Sequence, residues 1–360
     1  QLRMDVRGMT RSIPFYVLLA FGMLQVVGSA IGATTQAFGT PVYPLTGTLI
    51  AFVGGSFTLA VLIVVIYYSG ELVHRERQAV VHEIVDATAY PNWIMVLSKV
   101  AALWFVIASM LLVVMITAML VQVFNDFYRF EVLLYFKGLY GVLGISYFLL
   151  CVPAVLVQVL SPNKFIGMVV FLAIFLGLQT LPSLDFEHYL YQYAAPPAPY
   201  SDMNGYGHFV DRLVSFSVYW AALAGLMIVA AHLLFRRGYP GSARAQLAVA
   251  GSRWNGVVAT WTAVFAIVFS GTGAWIFYNT DVLNDYVTSD EQEKRQADYE
   301  KAYKQFENLP KPALVDLEMT VDIYPVSRRL DSRGKARMVN RQAAPIEVLH
   351  LTLPPPLTIN

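Results

Sequence analysis

Over its first 280 residues the chain alternates long apolar runs with short polar connections, and after that the pattern changes. A helix needs about 20 mostly apolar residues to cross roughly 30 Å of hydrocarbon, because every backbone amide must be satisfied within it. Seven segments qualify: about Ile13–Ile31, Leu45–Ser69, Trp93–Phe124, Tyr135–Leu160, Phe165–Leu181, Leu213–Phe235 and Val257–Tyr278. The third is long enough to tilt or to project beyond a bilayer. The fifth is the shortest and is ended by Pro182. Pro153, inside the fourth, predicts a kink there unless a neighbour satisfies the carbonyl it frees.

The remaining 80 residues read differently. Ser289–Asn308 is polar, with Ser289 or Asp290 placed to cap a helix and an aromatic stripe of Tyr299, Ala302, Tyr303 and Phe306 leaning on something. After Leu309-Pro310-Lys311-Pro312, Val315, Leu317, Met319, Val321 and Ile323 alternate with Asp316, Glu318, Thr320 and Asp322, the pattern of a half-buried strand. Asp331-Ser332-Arg333-Gly334-Lys335 reads as a hairpin turn, and Ile346–Leu353 as a further strand. One or two hairpins do not stand alone in water. The rest of the sheet is therefore expected from beyond Asn360 or from a partner chain.

Composition agrees with two joined materials. The chain is 57% apolar and 14% charged, against about 25% charged in soluble domains. Residues 1–280 hold 25 of the 49 Asp, Glu, Lys and Arg. The net charge of +1 is a near-cancellation with no basic block, so nucleic acid is excluded as a partner class. The single cysteine, Cys151, excludes an intramolecular disulfide and a multi-cysteine metal site. Because the chain opens at Gln1 without a methionine, it is expected to be an excerpt, and its first apolar run reads as a retained anchor, since more spans follow it.

Lys and Arg in short loops stay on the cytoplasmic side. With the N-terminus inside, that side collects Arg3, Arg7, Arg11, Arg75, Arg77, Lys164, Arg236, Arg237, Arg244 and Arg253, while the other holds Arg129 and Arg212, with Lys137 at a helix mouth. Everything after about Asn279 is then expected outside. A re-entrant fifth segment is the alternative and would put the last four of those arginines outside.

Residues 71–92 are the densest polar stretch before residue 280. Leu72, Val73, Val80, Val81, Ile84 and Val85 make one stripe of an amphipathic helix lying flat or capping a bundle, with Glu71 and Arg75 paired at i and i+4. It is either a solvated interfacial helix or a docking surface for a cytoplasmic partner. His82-Glu83-Ile84-Val85-Asp86 approaches the zinc-peptidase H-E-x-x-H but ends in Asp, so it is a decoy. The outer loop 182–212, rich in Tyr, His and Pro, is read as short interfacial helices, with a substrate gate of His188, Tyr191, Tyr193 and His208 as the second reading. Lys99 is expected to snorkel to headgroups. Gln25, Gln158 and Gln179 are milder polar groups, and Gly47, Gly54, Gly55, Gly70, Gly138, Gly141 and Gly144 permit close helix approach. The apolar segments hold no Asp or Glu, which argues against a proton- or sodium-driven transporter.

The opening QLRMDVRGMTRSIPFYVLLAFG, the six-span set and SGELVHRERQAVVHEIVDATAYPNW resemble one half of a type-2 ABC exporter permease, over residues 1–236. The resemblance implies a coupling helix after the second span, resting on the nucleotide-binding subunit, with Glu71, His74, Arg75, Glu76 and Arg77 as its counterparts. The seventh span, YEKAYKQFENLPKPALVDLEMTVDIYPVSRRLDSRG and APIEVLHLTL look like the junction of bacterial permeases fused to a thermolysin-like zinc aminopeptidase. The implied architecture is an all-α polytopic membrane domain of six spans plus a seventh, then a small extracytoplasmic helix and β-strand segment. Its parts are a permease-like domain over 1–236, a cytoplasmic linker over 237–256, the seventh span over 257–280, a helical linker over 281–312 and the start of a β-rich domain over 313–360.

The implied partners are a cytoplasmic ABC ATPase dimer carrying the ATP, a second permease half, and the bilayer of a bacterial cytoplasmic membrane. This chain has no Walker-type G-x-x-x-x-G-K-[ST] and so depends on another chain for ATP. It holds no catalytic residue and no metal site of its own, zinc being expected only in a peptidase region beyond Asn360. The competing reading is a membrane anchor for an outside zinc aminopeptidase that transports nothing.

Overall fold

The structure, a computed structural model, describes residues 2–34, 42–87, 90–207, 209–238, 243–284, 286–324, 327 and 329–349. It divides into two compact units, Gln1–Tyr286 and Val287–Asn360.

The first unit is helical: α1 Leu2–Thr10, α2 Ile13–Thr34, α3 Thr46–Gln78, α4 His82–Asp86, α5 Asn92–Phe124, α6 Val132–Tyr135, α7 Gly144–Leu160, α8 Lys164–Thr180, α9 Phe209–Leu234, α10 Ala243–Arg253 and α11 Gly256–Phe277. A π-helical stretch, Phe136–Leu143, joins α6 to α7, and another, Tyr278–Val282, extends α11. Six of these rods are long and apolar enough to cross a membrane: Ile13–Gly32, Thr46–Gln78, Asn92–Phe124, Val132–Leu160, Phe209–Leu234 and Gly256–Val282. The segment expected as the fifth span is α8, of 17 residues, which at 1.5 Å per residue covers only about 26 Å. That is shorter than the roughly 30 Å of hydrocarbon, so α8 is not among the six.

The solvent of these helices is legible in what they leave outside. Phe105, Leu112, Ile116 and Leu120 of α5 and Ile267 and Trp275 of α11 are exposed along faces that carry no charge. Exposed apolar surface on this scale belongs against lipid. The first unit is thus a polytopic, membrane-spanning helical bundle.

Its core lies between α3, α5 and α7, where Phe57, Val61 and Val64 meet Leu103, Val106, Ile107, Cys151 and Val155, all fully buried. The Cys151 thiol donates to the Tyr147 carbonyl at 3.2 Å and is a packed core residue. Gln158 of α7 lies against Gly70 of α3 and Gly167 of α8, where an added Cβ would strike its amide. Helix α11 packs along α9, with Phe269 stacked on Tyr219 at 4.4 Å between ring centres.

Helix α7 runs through Pro153 without interruption. The ring removes the N–H that would bond the carbonyl four residues earlier, and that carbonyl, of Leu149, accepts instead from the Tyr193 hydroxyl at 3.0 Å. A neighbour has supplied the missing donor.

The polar stretch after the second span departs from the expected flat helix. Helix α3 continues unbroken to Gln78, and only the five residues of α4 form a separate helix. The expected stripe is split accordingly: Leu72 is buried, whereas Val80 and Ile84 are 76% and 73% exposed. The backbone reverses at Val80, whose φ of 56° breaks the helical period on which the stripe rested.

In the second unit, α12 spans Ser289–Tyr303, and its cap is Thr288, one residue before the expected position, its hydroxyl accepting from the Glu291 amide. The aromatic stripe stacks on itself, Tyr299 on Tyr303 at 4.7 Å, and stays exposed. Strands β1, Ala313–Tyr324, and β2, Arg329–Val339, form an antiparallel pair. The expected turn at Asp331–Lys335 lies instead within β2, opposite Asp322–Glu318, and the connection falls at 325–328. Facing residues Asp316 and Arg337, and Glu318 and Lys335, bring opposite charges across the pair, which favours this register. Val315, Leu317, Met319 and Ile323 are exposed, not half-buried as expected. Of the further expected strand, residues 346–349 are not in a strand, and 350–353 lie outside the described residues.

Candidate functional site

Connections at each end of the bundle identify which residues share it. The last turns of α3, the starts of α5 and α8, and the ends of α7 and α9 meet at one end, here the polar end.

The five residues expected to couple to a partner all lie in the last turns of α3, and most of them are engaged within the bundle. Glu71 pairs with Lys164 of α8 at 2.5 Å and Arg75 with Asp5 of α1 at 3.4 Å, so the expected Glu71–Arg75 pair is replaced by two interhelical ones. Glu76 accepts from the Lys99 ammonium at 2.8 Å, and the same ammonium donates to the Leu72 carbonyl at 2.7 Å. Arg77 donates to the Arg236 carbonyl at 3.3 Å. His74 is buried and lines, with His82, Gln158, Ser161 and Arg236, a cavity of about 40 Å³.

Lys99 overturns an expectation. It does not snorkel, being 0% exposed and enclosed by α3 and α5. The reason is proximity: Glu76 lies within reach one helix away, and a paired ammonium has no need of the headgroups. Asp5, Arg75, Glu76 and Lys99 form a cluster of two anions and two cations. Burial raises the Asp5 carboxyl above its ordinary range, and the Lys99 and Arg75 charges oppose that rise. Other arginines close this end by capping orphan carbonyls: Arg236 donates to Leu160, Arg237 to Tyr90, and Arg253 to Leu233 and Phe235.

Asp5, Lys99 and Lys164 were not singled out as coupling residues by their sequence. The available signal was a lysine seven residues inside an apolar helix facing a cluster of carboxylates on the preceding span, which favours an internal pair over a headgroup contact.

At the opposite end, two of the four candidate gate residues, His188 and Tyr191, meet edge to face with ring centres 6.4 Å apart. Tyr193 serves the Leu149 carbonyl. Tyr191 is exposed and packs edge-on to Phe186. His208 lies outside the described residues. His188 is buried: its Nδ1 accepts from the Leu190 amide at 3.1 Å, its Nε2 meets Thr280 at 3.0 Å and Asp281 at 3.5 Å, and Tyr286 packs on its ring. This arrangement fastens the loop to the end of α11. Burial holds the imidazole below its ordinary value of 6.5, with Asp281 pulling the other way. Among the described residues, no cluster of His, Cys, Asp and Glu is suited to a metal ion.

Comparison with family models, with curated proteins and with solved structures returned no match.

Proposed function

We propose that this chain is a permease half of an ATP-driven exporter, worked by a separate ATPase at the polar end of the bundle. The observation that carries the reading is the set of ion pairs tying the last turns of α3 to α1, α5 and α8. A displacement delivered to α4, at the tip of α3, bears on three other helices through these charged contacts. That is the mechanical requirement for an element biased by a partner's nucleotide state.

The tip itself supports docking. Val80, Ile84 and Tyr90 are exposed apolar residues beside a charged surface. Val80 also holds a left-handed backbone, rare for a β-branched residue and costing about 1–3 kcal/mol. Strain at an exposed turn, where no packing demands it, is consistent with use by a partner.

The arginine-rich polar end supports a cytoplasmic placement by the charge rule, with the second unit outside. The uncovered apolar face of the hairpin supports the reading of residues 313–360 as the opening of a β-rich domain completed by further sheet. Proposed partners are therefore a cytoplasmic ATPase dimer and a second permease half.

The test is association with a co-expressed ABC ATPase from the same source. Arg75 and Arg77 are poor probes because they hold α1 and the end of α9. Val80→Asp with Ile84→Asp alters only exposed positions, and is expected to abolish co-purification and the permease-dependent stimulation of ATP hydrolysis while leaving thermal stability in detergent unchanged. Undiminished association and stimulation would remove the coupling role.

A further inference from the structure

At the end of the bundle opposite the charged cluster, α6, the π-helical stretch and the start of α7 face α9 across an open slot of about 960 Å³. Its deeper walls are Val142 and Ile145 on one side and Val214, Val218 and Ala221 on the other. Gly141 also lines it, and a Cβ there would meet nothing within 4 Å, so the space continues up to the backbone.

The charged groups lie toward the mouth, and Ser217 adds a hydroxyl to the α9 wall. Glu131 stands at the head of α6, Lys137 follows six residues on, and Tyr200, Asn204 and Tyr206 come from the loop before α9. Glu131 precedes the first turn and Lys137 lies more than a turn further along, so Lys137 stands deeper along the helix axis. Positions 133, 137, 141 and 145 recur every four residues, a spacing that drifts by about 40° per step on an α-helix of 3.6 residues per turn. The wider turns of the π-helical stretch absorb part of that drift and keep these positions on one wall. Among the described residues, neither the Lys137 ammonium nor the Glu131 carboxylate has a hydrogen-bonding or ionic partner in the protein.

From the mouth inward the order is therefore anion, cation, hydrocarbon. A phospholipid with a primary amine presents the complementary order: ammonium outermost, then phosphate, then acyl chain. We propose that this slot is a binding site for a zwitterionic aminophospholipid of the phosphatidylethanolamine type. Lys137 takes the phosphate, Glu131 the ammonium, and the α7–α9 walls one acyl chain. Both charges are then paired on a lipid-facing surface where an isolated charge is costly. The inference requires the membrane but not the ATPase, so it stands or falls separately from the coupling proposal.

The full chain, delipidated in detergent, is exposed to phosphatidylethanolamine, phosphatidylcholine, phosphatidylglycerol or soluble glycerophosphoethanolamine, and retained ligand is counted by native mass spectrometry. Phosphatidylethanolamine is expected to be retained about tenfold more tightly than the other two lipids, through its charge-assisted bonds, and the soluble headgroup not at all. Glu131→Gln should erase the preference for the amine while keeping phospholipid. Lys137→Glu should weaken all three lipids. Gly141→Leu starts from a Cβ position with nothing within 4 Å and improves helix propensity, so it should occupy the slot and abolish retention in a protein that still folds. Equal retention of the three lipids by the wild type, or no effect of Gly141→Leu, overturns the proposal. Binding of the soluble headgroup as well as the lipid overturns it in favour of a small-molecule site. A dimer that Gly141→Leu dissociates while lipid retention persists overturns it in favour of a second copy in the slot.

Discussion

Replacing Lys99 by methionine tests the charged cluster directly, since it keeps an unbranched side chain of similar length and removes only the charge and its donors. At 2.8 Å from Glu76, the attraction is about 6 kcal/mol at an effective dielectric of about 20. The desolvation of two ions, several kcal/mol each, offsets most of this. The pair as a whole therefore contributes little net stability, yet its halves are interdependent. Without Lys99, Glu76 keeps a charge in a site where its side chain is only 18% exposed. Breaking a buried pair costs about 3–5 kcal/mol, and the residual access of water to Glu76 places Lys99→Met near the lower end. Lys99→Met with Glu76→Leu removes both charges and is expected within about 1 kcal/mol of wild type.

Equilibrium unfolding in mixed micelles, run as a double-mutant cycle, measures this. A coupling energy of at least about 2 kcal/mol is expected, because residues in direct ionic contact do not add. If Lys99→Met falls within about 0.5 kcal/mol of wild type, as ordinary surface substitutions do, or if the two changes are additive, the cluster is not the buried, mutually dependent unit described above.

Two further outcomes follow from the opposite end. Tyr193→Phe should cost about 1–2 kcal/mol by leaving the Leu149 carbonyl without a donor, and Pro153→Ala should recover most of that by restoring a helical N–H, read by the same cycle. His188 is held below pH 6.5, so the unfolded chain takes up its proton first. Its contribution to stability is complete above about pH 6.5 and is lost as the pH falls below that, so the advantage of wild type over His188→Gln should shrink between about pH 7 and pH 5. A constant difference across that range would mean that His188 is not buried in the neutral form.

The parts of this fold that the sequence disclosed are those in which one physical demand acts on a long stretch of chain. Hydrocarbon requires sustained apolar helix, so the six long rods were legible to within a few residues at most ends. Alternation over eleven residues likewise disclosed β1. What escaped depends on distant or unusual partners. Asp5, Glu71, Glu76, Lys99 and Lys164 lie on four helices, and no local pattern states that they meet. The run Glu71 to Arg77 is as polar as a loop, yet it remains helical because interhelical ion pairs and the buried Leu72 continue the packing past the apolar span. The hairpin turn was misplaced because Asp-Ser-Arg-Gly has turn chemistry, whereas a strand exposed on both faces imposes no apolar requirement on its residues.

The same contrast decides where substitutions will matter. Pro153 and Lys99 pose one problem in two forms, a polar group stranded where water is scarce, and each is answered from a neighbouring segment: Tyr193 for the carbonyl, Glu76 and the Leu72 carbonyl for the ammonium. Removing Tyr193 or Glu76 takes away a partner that water reaches poorly, so the loss is felt. In the hairpin, Arg329 and Asp331 are paired at 2.6 Å in full contact with solvent, and water takes over either partner when the other is lost. The buried Lys99–Glu76 contact at the polar end of the bundle therefore weighs more on stability than this shorter surface pair. Separating α3 from α5 would strand the buried Lys99 ammonium, because both of its partners lie on α3.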